Sequence, residues 1–413
     1  MRDTVVMKFG GTSVADGEKI RQAAGRAIRA RRQGRHVVMV LSAMGHTTDE
    51  LVDLARQVSD NPPKREMDQL LVTGEQVTIS LMAMALEGMG VPAISFTAGQ
   101  MGMVTDDAHT KAKIKRIDVR RIRRQLDEGK IVIVAGFQGV TEDGHMTTLG
   151  RGGSNVTLVA IAAALGGECE NYTDVDGVYT ADPRIVPNAR RIARISYDEM
   201  LELASLGANV LHNRAVEFAK KYDVPIHVRS SLSNRKGTWI VSQSQDMERI
   251  VVSGAALKKD LAAVTLKNVP DRPGLAAEVF HSLAAAGIVV DDIIQTEPVP
   301  KLATISFTIE LSDLPEVEAV CDKLCRKHTG MVCEARKDLA KVSAVGLGMR
   351  IHTGVAERMF AALAKARINI RNITTSEIKI SCIIDQAQGP EALRLIHDAF
   401  GLGGKGRKKT GRK

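Results

Sequence analysis

The chain has 413 residues, 44% of them hydrophobic and 25% charged, with a formal net charge of +9 at pH 7. That size and apolar content support a substantial core shared among two or three domains. Five cysteines, odd in number and embedded in helix or strand patterns, argue against a disulfide framework, and aromatics at 3% leave little for stacking on nucleic-acid bases. No apolar run reads as long enough to cross a bilayer, and the N-terminus lacks signal-peptide features, so a cytoplasmic location without a membrane partner is expected. Six of the net positive charges belong to the tail 403–413, leaving three for the remainder. The tail reads as disordered and the second cationic run, 111–124, as a solvated helix with one apolar stripe, so no nucleic-acid partner is expected. Cys321 and Cys325 share a helix face, but no further pair completes a zinc site, and no metal site is assigned.

The first strand is Thr4–Phe9, a short apolar run that stops at Gly10 and Gly11 before the helical stretch Gly17–Arg32. Strand, glycine turn and helix have the layout of a phosphate cradle, although many strands simply end in Gly-Gly. It is not a Walker A loop, because Lys8 precedes the glycines and no Gly-Lys-Ser/Thr triplet follows. A lysine at a strand end can still meet a phosphate as a point charge. The run 36–42, ending at Ser42, is the next strand, and the loop 43–49 lies at its carboxyl end, where open α/β sheets bind ligands. Thr47, Thr48 and Asp49 are candidate contacts there, or simply the cap of a following helix. In the helical region 65–89, Thr73-Gly74-Glu75 interrupts an apolar face, which makes Glu75 either a buried ligand for an amine or a solvated residue. Strands at 92–97 and 131–137 continue an alternation that predicts an open, mainly parallel sheet sandwiched by helices.

The stretch 148–184 organises the chain. In Gly150-Arg151-Gly152-Gly153-Ser154 successive glycines can turn backbone N–H groups toward one point, and a helix starting near Ser154 adds its positive dipole end. An anion is therefore expected at Arg151. A strand at 169–175 follows, running into a loop crowded with Asp174, Asp176, Tyr179, Asp182 and Arg184, which reads as a polar ligand site. An ordinary tight turn would explain the glycines but leave Arg151 and these aspartates without a role. The stretch 196–222 reads as one long helix with Leu211-His212-Asn213 near its middle. Strands at 225–228 and Thr238–Val241 close the first domain at about residue 245, and 242–246 reads as a linker.

Beyond the linker the chain repeats itself. Gly274 matches Gly354, Phe280 matches Phe360, Leu283 matches Leu363 and Ile293 matches Ile373, at a constant spacing of 80. Two copies of a βαββαβ unit make a paired module.

These residues carry a family resemblance. Lys8-Phe9-Gly10-Gly11-Thr12-Ser13-Val14, the loop 42–49, Thr73-Gly74-Glu75, the Arg151 turn, the run from Tyr172 to Arg184, Asp271-Arg272-Pro273-Gly274 and Thr375-Ser376-Glu377-Ile378 resemble, in the same order, the aspartate kinases (aspartokinases) of the amino acid kinase fold with two C-terminal ACT domains. The resemblance covers nearly everything except the tail. It implies a catalytic domain at 1–245, ACT domains at about 246–338 and 339–402 with room for interleaving, and a disordered basic tail at 403–413. It also implies transfer of the ATP γ-phosphoryl group, with Mg²⁺, to the side-chain carboxylate of L-aspartate. The product, 4-phospho-L-aspartate, leads toward lysine, threonine and methionine.

On the same resemblance, Lys8, Gly10 and Gly11 would hold the phosphates with Ser42 nearby. Arg151 would grip the α-carboxylate of aspartate, Glu75 its amino group, and Thr47, Gly152, Gly153 and Ser154 would orient it. Thr173, Asp174, Tyr179, Asp182 and Arg184 correspond to the nucleotide loop. Asp271, Gly274, Ala276 and Gln295 from one ACT unit, with Val355, Asn369 and Ile370 from the other, are the expected sites for an amino-acid effector, threonine, lysine or both, in a homodimer or higher oligomer. Two departures stand out. The family turn usually continues with aspartate after the serine, whereas Asn155 keeps the size and one acceptor oxygen but removes the charge; and proline or serine is commoner after His212. Retention of Lys8, Glu75, Arg151 and Asp174 predicts an active kinase. The alternatives are a related amino acid kinase, a silent regulatory chain favoured only by Asn155 and by Met247 as an internal start, and a polyanion binder resting on the tail.

Overall fold

The computed structural model describes residues 3–207, 210–242, 251–350 and 352–404. Most of the expected linker, Met247 and the tail beyond 404 lie outside these residues. The chain divides into two compact units, one formed by Met1–Tyr179 with Arg191–Asp246 and the other by Thr180–Arg190 with Met247–Lys413.

The first unit is built on an eight-stranded sheet. Its spatial order is Arg194–Ser196, Thr238–Val241, Ile226–Ser230, Glu168–Thr173, Thr4–Phe9, His36–Leu41, Ile131–Ala135 and Ala93–Phe96. Every neighbouring pair is parallel except Ile226–Ser230 with Thr238–Val241. The central strands are β-branched and buried on both faces, as a sheet covered by helices on both sides requires: Val37 to Leu41 and Ile131 to Ala135 are all buried. The helices Gly17–Arg32 and Lys64–Gly88 pack over Met7, Phe9, Met39, Leu41 and Ile133. The apolar helix Gly153–Leu165 packs on the same central strands from the other side. A second, four-stranded sheet (Ile114–Ile117, Met103–Thr105, Gln138–Val140, Met146–Thr148) leads into the Arg151 turn.

The second unit holds a six-stranded antiparallel sheet in the order Asp291–Val299, Leu302–Glu310, Gly254–Pro270, Val332–Val345, Lys379–Asp385, Asn372–Thr375. Two long strands run through both halves. Residues 254–258 pair with 341–345, while 261–270 pair with 302–310. The two ACT folds are thus interleaved: the second takes its first strand from the segment that precedes the first. Gly274 and Gly354, with φ of 94° and 87°, cap the equivalent helices Leu275–Ala285 and Val355–Lys365.

Four readings differ from the structure. The run 111–124 is not one helix but the strand Ile114–Ile117 and the helix Arg120–Asp127; Asp118 breaks them, its backbone N–H donating to the Gly102 carbonyl (3.1 Å) and its carboxylate accepting from the Arg120 N–H (3.0 Å). The stretch 196–222 is two helices, Tyr197–Ser205 and Asn213–Tyr222; Gly207 turns left-handed after the first, and the His212 side chain caps the second by accepting from the Arg214 N–H (3.3 Å). The helix Lys64–Gly88 has 25 residues and is long and apolar enough, by length and composition, to cross a membrane. Its charged first turn hid that in the sequence, yet it buries Asp68 and Glu75 against the rest of the unit, as a core helix does. Finally, Thr180–Arg190, expected in the first domain, belongs to the second unit, because Ala181 and Val186 are buried there among Val252, Met349 and Ile396.

Candidate active site

The carboxyl edge of the parallel sheet collects the expected residues. Lys8 lies near the end of Thr4–Phe9, Ser42 directly after His36–Leu41, and Thr173 ends Glu168–Thr173. The Lys8 ammonium lies over Gly10, 3.3 Å from where a β-carbon on that residue would stand. Burial draws its pKa down to about 8, opposed by the nearby Asp174 carboxylate. The Gly10–Gly11 turn is tied to the next loop by the Gly45 N–H, which donates to the Gly11 carbonyl (3.1 Å).

Glu75 is buried, at 3% exposure. One carboxylate oxygen accepts from the Ala43 N–H (3.1 Å) and the other is enclosed without a hydrogen-bond partner. Burial pushes its pKa up to about 7. The preceding Gly74 makes this contact possible, since a β-carbon there would stand 2.8 Å from that of Ala43 and push the loop off the helix. Thr47 opens the helix Thr47–Val58 after this loop. The Ser42 hydroxyl donates to the Ser154 hydroxyl (3.0 Å), joining the loop to the helix Gly153–Leu165.

That helix begins at the Arg151 turn. Gly152 caps it with φ 71°, and a β-carbon there would stand 2.3 Å from that of His212, so only glycine lets the turn lie against the start of the helix Asn213–Tyr222. Desolvation, with Arg214 and Arg151 nearby, lowers the His212 pKa. His212 therefore supports the turn and caps a helix. Arg151 itself is exposed and has no ion-pair partner among the described residues. Four residues on, the Asn155 side-chain oxygen is buried without a partner.

In the loop that follows Glu168–Thr173, the Thr173 hydroxyl donates to Asp174 (3.0 Å), and Tyr179 bridges to Arg191. Asp176 is taken by Ser233 and Arg235, both at 2.8 Å. Asp182 and Arg184 lie in the second unit, where they pair with each other (2.7 Å).

In the second unit, Asp271, Gly274, Ala276 and Gln295 line one recess of about 430 Å³ with Val269, Ala303 and Ile305. Val355, Asn369 and Ile370, at the equivalent turn of the other ACT fold, do not line it.

Sequence reading missed two charged clusters. Asp68, fully buried on the Glu75 helix, accepts from Thr110, His109 and Thr148. Its only sequence signal is that it stands seven residues, two helical turns, before Glu75 on the same face. Glu168, Glu170 and His227 are close enough to suggest a cation site. Their carboxylates are already met by Arg35 (2.5 Å), Arg229 (2.7 Å) and the Tyr172 hydroxyl (2.9 Å), which serves a buried ion-pair network instead.

Comparison with known proteins agrees with this arrangement. The amino acid kinase family profile matches residues 3–230, and ACT domain profiles match 264–327 and 342–400. The chain is 51% identical to an aspartokinase of Geobacillus stearothermophilus over 399 residues, covering 96% of this chain and 97% of that one. It is 50% identical to aspartokinase 2 of Bacillus subtilis, covering 96% and 98%. The chain belongs to the aspartokinase family. Among solved structures, E. coli aspartokinase III in complex with aspartate and ADP superposes with a TM-score of 0.80 at 26% identity, covering 96% of this chain and 99% of that one. The same enzyme in complex with lysine and aspartate gives 0.78, also at 26% identity and the same coverage. As an aspartokinase the chain is an ATP-using aspartate kinase whose ACT domains form an allosteric half.

Proposed function

We propose that the sheet edge binds aspartate between Glu75 and Arg151 and presents its side-chain carboxylate to a γ-phosphate held at Lys8. The enclosed, unpartnered oxygen of Glu75 carries this reading: a buried carboxylate lacking half its partners is a site for a cation, and the α-ammonium of aspartate supplies one. Arg151 offers the planar fork that matches the α-carboxylate, at the N-terminus of a helix. Thr47, Gly152, Gly153 and Ser154 border the substrate. Phosphoryl transfer needs positioning and charge neutralisation more than a covalent catalyst. Lys8, with the N–H groups at Gly10 and Gly11, faces the phosphates, while Thr173, Asp174 and Tyr179 receive the rest of the nucleotide.

The chemistry of Asp174, an exposed carboxylate, and of Asn155, whose buried amide oxygen has no partner, suits the hard oxygen ligands that Mg²⁺ prefers, and these two would hold it. Bound with the nucleotide, it would supply positive charge against the phosphates. The product, 4-phospho-L-aspartate, places the reaction at the head of lysine, threonine and methionine synthesis in the cytoplasm.

The effector recess at Asp271, Gly274, Ala276 and Gln295 suits an amino acid, with Asp271 meeting its ammonium. Because Val355, Asn369 and Ile370 lie elsewhere in the same chain, a second copy supplies them, which makes the working unit a homodimer. Lysine is the first effector to test, then threonine. MgATP-dependent aspartyl phosphate, trapped as hydroxamate, is expected from the wild type and lost with Glu75→Gln at ordinary aspartate concentration. A wild-type chain inactive under every metal and effector condition would sink the reading, and Glu75→Gln with unaltered KM for aspartate would remove Glu75 from it. Unchanged activity and melting temperature with lysine and threonine, singly and together, would remove the effector site.

A further inference from the structure

The reading above leaves unexplained a fully buried carboxylate with four hydrogen bonds. Asp68 sits in the helix Lys64–Gly88, seven residues before Glu75. Seven residues bring a helix back to the same face about 10 Å further along its axis. One helix face thus carries both the proposed amine ligand and Asp68.

The partners of Asp68 all belong to the foundation of the Arg151 turn. Its carboxylate accepts from the Thr148 hydroxyl (2.6 Å), two residues before Gly150. Both its oxygens accept from the Thr110 N–H (3.1 and 3.0 Å), and one meets His109 Nδ1 (2.8 Å). Thr110 has a φ of 69°, a left-handed conformation unfavourable for a β-branched residue, so this loop depends on outside support. The Thr110 carbonyl lies directly under Gly150, 3.0 Å from where a β-carbon would stand. The Ala112 N–H donates to the Thr148 carbonyl (3.0 Å), closing the support.

We infer that Asp68 is a positioning residue for aspartate: it ties the Arg151 turn to the helix that carries Glu75 and so fixes the distance between the two anchors of the amino acid. The inference rests on the proposed roles of Glu75 and Arg151. Those anchors must meet an ammonium and a carboxylate on the same carbon of the substrate, so a turn released from Asp68 loosens aspartate binding. None of these bonds involves Lys8, Thr173 or Asp174, the residues proposed for ATP, so ATP binding should be indifferent to this spacing.

Steady-state kinetics on the full chain separate the possibilities. Thr148→Val, which keeps shape and removes the hydroxyl, and Asp68→Asn are each expected to raise KM for aspartate about tenfold, with kcat and KM for ATP within about twofold, since a hydrogen bond to a charged group is lost. Thr148→Ser restores the hydroxyl and should return KM to near the wild-type value. The inference is overturned if KM for aspartate stays put in the valine variant, if both KM values climb together, or if serine behaves as badly as valine. Should Asp68→Asn fail to fold, the Thr148 pair decides alone. Arg151→Ala is the companion measurement. An unaltered KM for aspartate there overturns the assignment of Arg151, whereas a raised KM there with an unaltered one in Thr148→Val overturns only the role of Asp68.

Discussion

Two titrating side chains face opposite ends of the reaction, and their shifts predict a pH profile with separable limbs. Glu75, raised to about 7, must be ionised to hold an ammonium, so kcat/KM for aspartate should fall below about pH 7. Lys8, lowered to about 8, must be protonated to hold phosphate, so kcat/KM for ATP should fall above about pH 8. A single limb shared by both substrates would contradict this division. Glu75 also weakens the empty enzyme. Its folded-state pKa lies above the ordinary 4.5, so the native state holds the extra proton and stability falls as pH rises from about 4.5 to about 7. The shift amounts to something on the order of 3 kcal/mol. Without aspartate, Glu75→Gln should therefore melt higher than wild type at pH 8 and much closer to it at pH 5. At Asn155, aspartate would add a charge beside a buried acceptor; Asn155→Asp is expected to lower the Mg²⁺ concentration for half-maximal rate, and an unmoved Mg²⁺ curve would place Asn155 away from the phosphates. Lys8, Glu75 and Arg151 were legible because each is a charge set in a glycine or apolar context. Asp68 was not, because its meaning lies in Thr148, eighty residues away, and in a loop backbone that no local pattern describes.

At the scale of elements, the sequence showed strands better than breaks. Seven of the eight strands in the large sheet were read from the sequence, Arg194–Ser196 being the exception, whereas Asp118 and Gly207 divided stretches whose helical periodicity ran straight through them. Short strands such as Met103–Thr105 carry too few residues to display alternation, and so the four-stranded sheet under the Arg151 turn was invisible. In the second unit, the repeat at a spacing of 80 disclosed the paired folds but not the polar joint between them. Lys341, buried to 2% side-chain exposure, pairs with Asp291 (2.7 Å) and Asp292 (2.5 Å), and Asp292 also accepts from Thr308 in one fold and Thr374 in the other. Asp292 and Thr374 belong to opposite edge strands, so the joint draws the two edges of the sheet together. Lys341→Met would leave the buried Asp292 without its cation, a loss of about 3–5 kcal/mol. Denaturant unfolding should show that loss in the second unit, and a change within about 1 kcal/mol, the size of a surface pair, would mean that the joint is solvated.

For the whole molecule, the boundary at about 245 was drawn where composition changes, but packing draws another. The segment Thr180–Arg190 leaves the first unit after Tyr179 and returns at Arg191, and in between it is held by the second: Thr180 bonds His397 (3.0 Å), and Arg190 bonds the Leu402 carbonyl (3.1 Å). A fragment of residues 1–242 would therefore carry Ala181 and Val186 with nothing to bury them. It is expected to exchange amide hydrogens in 180–190 far faster than the full chain and to bind ATP more weakly; equal protection in both would show that the first unit orders the segment alone.

For protein engineering, this threading means that catalysis and control do not meet at the linker. A chimera of two aspartokinases joined at residue 245 would marry one parent's helix Gly389–Ala399 to the other parent's Thr180–Arg190, and the mismatch would fall on the peptide next to Tyr179. Exchanging 180–190 along with the ACT domains turns a two-piece graft into a three-piece one, and that is the cut this fold permits.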